Sequence, residues 1–262
     1  MEIKYLKKEN SKDIFVIKDS DPAFVNTLRR TIIAEVPTLA IRKVTFIKNT
    51  SALFDEMLAH RLGLLPLVTD LTTYTLPEQC SCKGKGCAKC QLNFTLNCEG
   101  PLTVYSGDLK SADPKVKPAF AKMPVVKLLK RQELEFEAVA TLGRGKEHIK
   151  FSPALVYYKG YPKIKISDKC NNCGDCVKEC PLNLLEIEKK KLAVNDIEKC
   201  HLCKACEDSC PKKAIEVESS EKDFIFVIEP FGQLSTKSII TKALDEIEAK
   251  VDDFEEGIKK AK

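Results

Sequence analysis

The chain has 262 residues, of which 44% are hydrophobic, so it is long enough and apolar enough to form folded cores, and disorder along its whole length is excluded. Its net charge of +5 is a mild basic excess spread along the sequence, which permits contact with nucleic acid but does not indicate it. The amino terminus lacks the apolar segment of a secretory signal, and no apolar run approaches the roughly 20 residues of a membrane helix. We therefore expect a cytoplasmic protein without membrane contact.

The amino-terminal region predicts a strand, a helix and a second strand. Residues 14–17 (IFVI) predict the first strand, and Ser20-Asp21-Pro22 is typical of a helix start, with a capping side chain and a proline in the first turn. Residues 39–47 predict the next strand. The apolar residues of the helix recur every four positions as one stripe before Pro37: Phe24, Leu28, Ile32 and Val36.

The middle of the chain predicts a mixture of helix and strands. Residues 54–62 have helical character, whereas residues 92–96 and 134–140 alternate as strands do. A loop rich in proline and lysine, residues 111–124, lies between these two strands. This region therefore predicts an inserted α+β domain.

The carboxyl-terminal region predicts a strand over residues 224–228, a turn over 229–232 and a helix to the end. Six apolar residues of this helix follow one another at intervals of four and three: Ile240, Leu244, Ile247, Val251, Phe254 and Ile258. We call them the apolar seam. Such a narrow a/d pattern favours pairing with another helix. The alternative is that both terminal helices bury only against their own sheet.

A strand followed by a helix therefore opens and closes the chain. This arrangement predicts an α+β protein in which both ends build one discontinuous dimerisation domain, residues 1–43 and 221–262. An α+β domain is inserted at residues 44–165, and a ferredoxin-like domain is inserted at residues 166–220.

Two cysteine groups, CNNCGDCVKECP at Cys170–Pro181 and CHLCKACEDSCP at Cys200–Pro211, repeat at an offset of 30 residues. The repeat continues into LEIE at residues 185–188 and IEVE at residues 215–218. It predicts two copies of one loop and strand related by a pseudo-twofold axis. The spacing is that of a ferredoxin with two 4Fe-4S clusters.

In each group, three closely spaced thiolates hold one face of a cluster, so the fourth ligand must come from the other group. One predicted ligand set is Cys170, Cys173, Cys176 and Cys210. The other is Cys180, Cys200, Cys203 and Cys206. Zinc is the alternative, but zinc sites usually combine two CxxC pairs, and the overlapping triple followed by CP favours iron and sulfur.

A second cysteine constellation has the pattern CxCx4CxxC: Cys80, Cys82, Cys87 and Cys90. The glycines between Cys82 and Cys87 allow a short loop to turn back, and four thiolates suit a structural zinc. A redox disulfide could use the same residues. Twelve of the thirteen cysteines are clustered, and clustered cysteines in a reducing cytosol favour metal sites over disulfides.

Three further segments form a recognisable pattern: NTLRR at residues 26–30 with Glu35, Pro37 and Ala40-Ile41; Asp55-Glu56 with AHRLGLLPL at residues 59–67; and residues 226–234 leading into the terminal helix. This pattern resembles the alpha family of RNA polymerase assembly subunits, and most closely its archaeal branch. With the cysteine groups, the resemblance covers nearly the whole chain.

The resemblance implies a noncatalytic subunit of a DNA-dependent RNA polymerase, a nucleotidyltransferase complex that meets DNA through its other subunits. It implies that the terminal helices pair with a smaller subunit, archaeal subunit L, and that the pair is the platform for the large catalytic subunits. Arg29 and Arg30 would lie on the exposed side of the first helix, available to a large subunit, or would only be solvated. The CxCx4CxxC loop would correspond to the zinc loop of the eukaryotic counterpart.

Two other functions compete with this one. A ferredoxin-like electron-transfer protein would use the same clusters, but no flavin or nicotinamide fingerprint accompanies them. A nucleic-acid-binding module is disfavoured because no basic run with interleaved aromatic residues is present. Bacterial alpha subunits lack the ferredoxin-like insert, so polymerase chemistry as such does not depend on it. We expect the clusters to stabilise the insert and to respond to redox conditions.

Overall fold

A computed structural model describes residues 1–261, which form twelve strands and five α-helices. The strands are β1 (Glu2–Glu9), β2 (Lys12–Lys18), β3 (Thr38–Asn49), β4 (Gln91–Glu99), β5 (Leu102–Tyr105), β6 (Lys110–Ser111), β7 (Pro124–Leu128), β8 (Glu133–Gly143), β9 (Ala154–Ile166), β10 (Leu185–Glu188), β11 (Lys191–Val194) and β12 (Ile215–Pro230). The helices are α1 (Pro22–Ala34), α2 (Asp55–Gly63), α3 (Asp175–Glu179), α4 (Ala205–Asp208) and α5 (Thr236–Lys260). The fold is mixed, with antiparallel strand pairs in several sheets.

Every strand and helix predicted from the sequence is present, but β12 is much longer than the predicted residues 224–228 and extends to Pro230, into the predicted turn. The predicted start of α1 is correct, since Asp21 Oδ1 accepts the backbone N–H of Ala23 at 2.6 Å. Val36, the last residue of the predicted stripe, is buried but lies beyond the end of α1. Strand β1 was not predicted, because its charged residues give an edge strand that is largely exposed.

The chain divides into two compact units, which consist of Met1–Asn26 with Tyr157–Val227 and of Thr27–Val156 with Ile228 onward. These units divide the chain differently from the predicted domains. The predicted boundaries at 43/44, 165/166 and 220/221 fall within β3, β9 and β12, respectively. The three predicted domain boundaries stay predictions.

The first unit contains a four-stranded sheet in the order β1-β2-β12-β9. A strand from the amino-terminal region therefore lies beside one from the carboxyl-terminal region, as the prediction of a discontinuous domain requires. Val16, Ile225 and Val227 are buried together on this sheet. Helices α3 and α4 lie within the two repeated cysteine groups, and the β10–β11 hairpin lies between these groups in the sequence.

The second unit contains the largest core of the described residues. Its main sheet has the order β3-β8-β4-β6, and Phe46 of β3 lies opposite Phe136 of β8 with their rings edge to face at 5.9 Å. Leu58 and Leu62 bury one side of α2 in this core. Among the described residues, none of the helices is both long enough and apolar enough to cross a membrane.

Candidate metal centres

The two cysteine groups repeat in backbone conformation as well as in sequence. Helices α3 and α4 begin 30 residues apart, at Asp175 and Ala205. Three pairs of residues at the same offset have positive φ: Asn172 and Leu202, Gly174 and Lys204, and Asn183 and Lys213. The predicted internal repeat is therefore confirmed in the backbone.

Each group of three cysteines shares a cavity with the fourth cysteine of the other group. One small cavity is lined by the first quartet: Cys170, Cys173, Cys176 and Cys210. Another small cavity is lined by the second quartet: Cys180, Cys200, Cys203 and Cys206. The fold thus brings together the same two sets that the spacing predicts, with Cys180 and Cys210 exchanged between the copies.

Burial and mutual repulsion act on the innermost thiol of each quartet. Burial raises the pKa of Cys176, and the neighbouring thiolates of Cys170, Cys173 and Cys210 add to the increase. Burial together with the charges of the other thiolates in its quartet raises the pKa of Cys206 to about 11. Four thiolates so close together favour a cation among them, because a bound cation removes this repulsion.

Backbone N–H groups point at the two exchanged thiols. The N–H of Leu184 donates to Cys180 Sγ at 3.4 Å, and the N–H of Ala214 donates to Cys210 Sγ at 3.2 Å. Hydrogen bonds from Ala214 and its neighbours lower the pKa of Cys210, because they stabilise the thiolate. Thiolates with amide donors and an apolar lining fit the coordination of a 4Fe-4S cluster.

The four thiols of the CxCx4CxxC loop lie within 4.8 Å of one another. Four pairs of sulfur atoms are close: Cys80–Cys87, Cys80–Cys82 and Cys82–Cys90 at 3.5 Å, and Cys87–Cys90 at 3.8 Å. Tetrahedral zinc with bonds of about 2.3 Å places its sulfur ligands roughly 3.8 Å apart. All four cysteines are free thiols, so the geometry fits one zinc ion.

The loop that carries these thiols turns through residues with positive φ, among them Gly84 at 76° and Gly86 at 94°. This confirms the turning role predicted for the glycines. A hydrogen bond from the backbone of Cys82, followed by one from Cys87, lowers the pKa of Cys80 to about 6. Burial raises the pKa of Cys90 to about 12. The lowered pKa of Cys80 favours its thiolate, the form that binds metal.

The residues predicted to bind partners are partly confirmed as accessible. In the apolar seam, Val251 is 60% exposed and Phe254 is 70% exposed, with Leu244 and Ile258 also exposed. Ile240 and Ile247 are partly buried. Arg30 is exposed and Arg29 is partly exposed, and their contact with a large subunit stays a prediction.

Two features of the described chain were not predicted. Ile239 and Ala243, which do not belong to the apolar seam, are the residues of α5 buried within the chain. Lys159 contacts the loop that leads to Cys200, although 41 residues separate the two. The helical period of α5 could have indicated the burial of Ile239 and Ala243. No local pattern in the sequence indicates the contact of Lys159 with the loop before Cys200.

Comparison with known proteins identifies two domains within the chain. Residues 44–154 match the RNA polymerase Rpb3/RpoA insert domain. Residues 169–215 match a 4Fe-4S dicluster domain. These matches agree with the predicted α+β insert and with the predicted ferredoxin-like insert.

Full-length relatives share the whole arrangement. The DNA-directed RNA polymerase subunit Rpo3 of Archaeoglobus fulgidus is 42% identical over 97% of this chain and 96% of its own length. The Rpo3 of Methanosphaera stadtmanae is 43% identical over 97% of both chains, and that of Methanothermobacter thermautotrophicus is 44% identical over 94% of both. The chain therefore belongs to the family of the archaeal RNA polymerase subunit Rpo3.

Proposed function

We propose that this chain is a noncatalytic assembly subunit of a cytoplasmic archaeal DNA-dependent RNA polymerase. The observation that carries the proposal is the near full-length similarity to chains named as subunits of that enzyme. The chain itself needs no catalytic residue, since the large subunits carry out nucleotidyl transfer. It meets DNA only through the complex.

The apolar seam of α5 supports a helical partner for this chain. Phe254 and Val251 are large apolar side chains left exposed on a long helix, and exposed apolar surface of this kind marks interaction sites. The partner is the smaller alpha-like subunit, archaeal subunit L, whose helices cover the seam in a heterodimer. Arg30, and Arg29 to a smaller degree, remain available to a large subunit.

The two cysteine quartets hold two 4Fe-4S clusters in this proposal. When bound, such clusters can store and release single electrons. The chain contributes the eight thiolates, the backbone N–H donors at Cys180 and Cys210, and an apolar lining that limits the access of water. Because ligation couples to folding, the clusters hold the insert in its folded form and make that form sensitive to oxidants.

The CxCx4CxxC loop holds one structural zinc in this proposal. Four thiols at the separations of a tetrahedral site, with no open position for a substrate, are typical of structural rather than catalytic zinc. The zinc would close the loop of residues 80–90 onto the α+β domain.

One preparation tests both metal assignments. The chain purified without oxygen should contain iron and sulfide equal to two complete 4Fe-4S clusters, together with one zinc. Iron for a single cluster, or zinc in place of iron, would contradict the assignment of the quartets. Zinc absent while iron is complete would contradict the assignment of the CxCx4CxxC loop alone.

Copurification tests the assembly role. An affinity-tagged chain expressed in an archaeal host should bring down subunit L and the large polymerase subunits in equal amounts. The competing function, a ferredoxin-like electron carrier, is favoured only by the two cluster cavities. It predicts that the tagged chain recovers a redox enzyme and no polymerase subunits.

A further inference from the structure

The side chain of Lys159 contacts the loop that leads into the second cysteine group. Lys159 lies on β9, and its Nζ donates to the carbonyl oxygens of Glu198 at 2.8 Å and of Cys200 at 2.7 Å. Two residues further along the strand, the Tyr161 hydroxyl donates to Glu198 Oε1 at 3.4 Å. Two side chains of one strand thus hold the backbone and the carboxylate of Glu198.

These contacts act directly on a cysteine of the second quartet. Cys200 is buried, its N–H donates to the carbonyl of Ile197 at 3.0 Å, and its Sγ accepts the N–H of Leu202 at 3.5 Å. With the Lys159 ammonium on its carbonyl, the peptide groups on both sides of Cys200 are fixed. The position of its thiol in the cavity therefore depends on Lys159.

The contact makes the two repeated loops chemically unequal. Lys159 precedes the first cysteine group and does not belong to the 30-residue repeat. Its ammonium therefore contacts only the second of the two repeated loops. Its side chain is partly buried, where a charge is screened less by water and salt than on the surface. A fixed positive charge beside one cluster favours the state with the extra electron in that cluster.

We propose that Lys159 is a positioning residue for the second cluster, which holds the Cys200 loop in place and makes this cluster easier to reduce than the first. The inference rests on the proposed assignment of two clusters. In the reduction considered, one electron passes from an added chemical reductant to the cluster, and no bond in the protein forms or breaks.

The test compares four anoxically purified full-length chains: wild type, Lys159→Gln, Lys159→Arg and Lys163→Gln. Glutamine retains an N–H donor but removes the charge, whereas arginine retains both. Lys163 lies on the same strand with an exposed side chain, so its replacement is the matched control for the loss of one positive charge. Iron and sulfide are counted, and reduction by dithionite is followed by electron paramagnetic resonance at controlled potential.

In Lys159→Gln, we expect the higher of the two reduction potentials, which this proposal gives to the second cluster, to fall while the lower one stays. The ratio of reduced to oxidised cluster at a fixed potential should drop about tenfold, which corresponds to about 59 mV for one electron. Lys159→Arg should keep most of the wild-type difference between the two reduction potentials. Lys163→Gln should have the same two potentials as the wild type. Release of one cluster's iron from Lys159→Gln, with the other cluster kept, also supports the positioning role.

Unchanged potentials with complete iron in Lys159→Gln would overturn the inference about Lys159, as would an equal change at both clusters or the loss of both. Each of these three results leaves the assignment of the quartets intact if the wild type carries two clusters. A wild-type chain without two clusters' iron instead overturns the assignment of the quartets, and the inference with it.

Discussion

Lys204 occupies a backbone conformation that favours glycine. Its φ is 61°, and the residue at the same position of the first copy is Gly174, with a φ of 86°. At such an angle the Cβ atom lies too close to the backbone, and this repulsion costs roughly 1 kcal/mol. Glycine has no Cβ and avoids the cost. The nearby ion pair of Lys204 with Glu207, at 3.7 Å, is exposed and stabilises little.

We therefore expect Lys204→Gly to stabilise the first unit by about 0.5–1 kcal/mol, because strain falls by more than the unfolded chain gains in freedom. The temperature of unfolding, measured by anoxic calorimetry with the clusters bound, should rise by about 2 °C. Lys204→Ala is the control, since it removes the charge but keeps a Cβ. A similar increase in Lys204→Ala would show that charge rather than backbone strain is responsible.

Glu35 is a buried carboxylate held by three cations. Its oxygens lie 3.0 Å from Arg144 Nη1, 3.0 Å from Lys146 Nζ and 2.7 Å from Lys250 Nζ. Arg144 also contacts Glu246 at 3.1 Å, so the network joins α5 to the residues that follow α1. Burial acts to raise the pKa of Glu35, but the hydrogen bonds from the three cations outweigh it and lower the pKa from 4.5 to about 2.

Glu35→Gln should lower the free energy of unfolding by about 2 kcal/mol at pH 7, because three cations lose their shared anion. Since the folded pKa is lowered, this contribution is complete above the unfolded pKa and is lost as the pH falls from about 4.5 towards 2. Denaturant unfolding should therefore give the same difference between variant and wild type from pH 8 to about pH 5.

The exposed pair Lys48 and Glu133, at 2.7 Å, provides the comparison for this measurement. Glu133→Gln should cost less than about 1 kcal/mol, because water and salt screen an exposed pair. An equal cost for both variants would mean that burial of Glu35 adds nothing to its interactions.

At the scale of the element, the two ends of α5 differ in how the chain covers their apolar residues. Ile239 and Ala243 are buried within the chain near the start of the helix, whereas Val251, Phe254 and Ile258 are exposed towards its end. The period of the sequence predicted the apolar residues correctly. It could not indicate which of them the chain itself covers, because a period gives the direction of a side chain and not its neighbour.

Phe254→Asp should weaken binding of subunit L by at least about tenfold without changing the stability of the free chain by more than about 0.5 kcal/mol. The reason is that Phe254 contributes its surface only when a partner covers it. Titration of subunit L into the purified chain measures the first effect, and denaturant unfolding measures the second.

Ala249→Asp is the matched control, since Ala249 is exposed on the same helix but outside the apolar seam. We expect it to bind subunit L as the wild type does. Equal loss of affinity in both variants would mean that added charge, rather than the seam, governs binding.

At the scale of the whole molecule, the cysteine quartets and the apolar seam belong to different compact units. Cys176→Ser or Cys206→Ser should lower the iron content and make residues 166–220 more sensitive to protease, because ligation couples to local folding. Subunit L should still bind either variant, whereas docking of the large subunits should weaken. Reconstitution of the polymerase from purified subunits measures both steps.

Cys98→Ser is the control for this experiment, because Cys98 is a partly buried thiol that packs against the core of the other unit. Its iron content should equal that of the wild type. Full assembly of the polymerase with Cys176→Ser would reduce the clusters to a local support of the insert.

The sequence by itself predicted the candidate ligand sets of the metal centres and many of the strands and helices of this protein. The ligands of a cluster are close in sequence or related by a regular repeat, so their spacing carries the coordination geometry, and the periods of α1 and α5 follow from the helix itself. Only the tertiary structure decided the contacts of Lys159 with Cys200 and of Glu35 with Lys250, which are separated by 41 and 215 residues. Such contacts depend on which strands and helices the folded chain brings together, and no local pattern in one sequence records that.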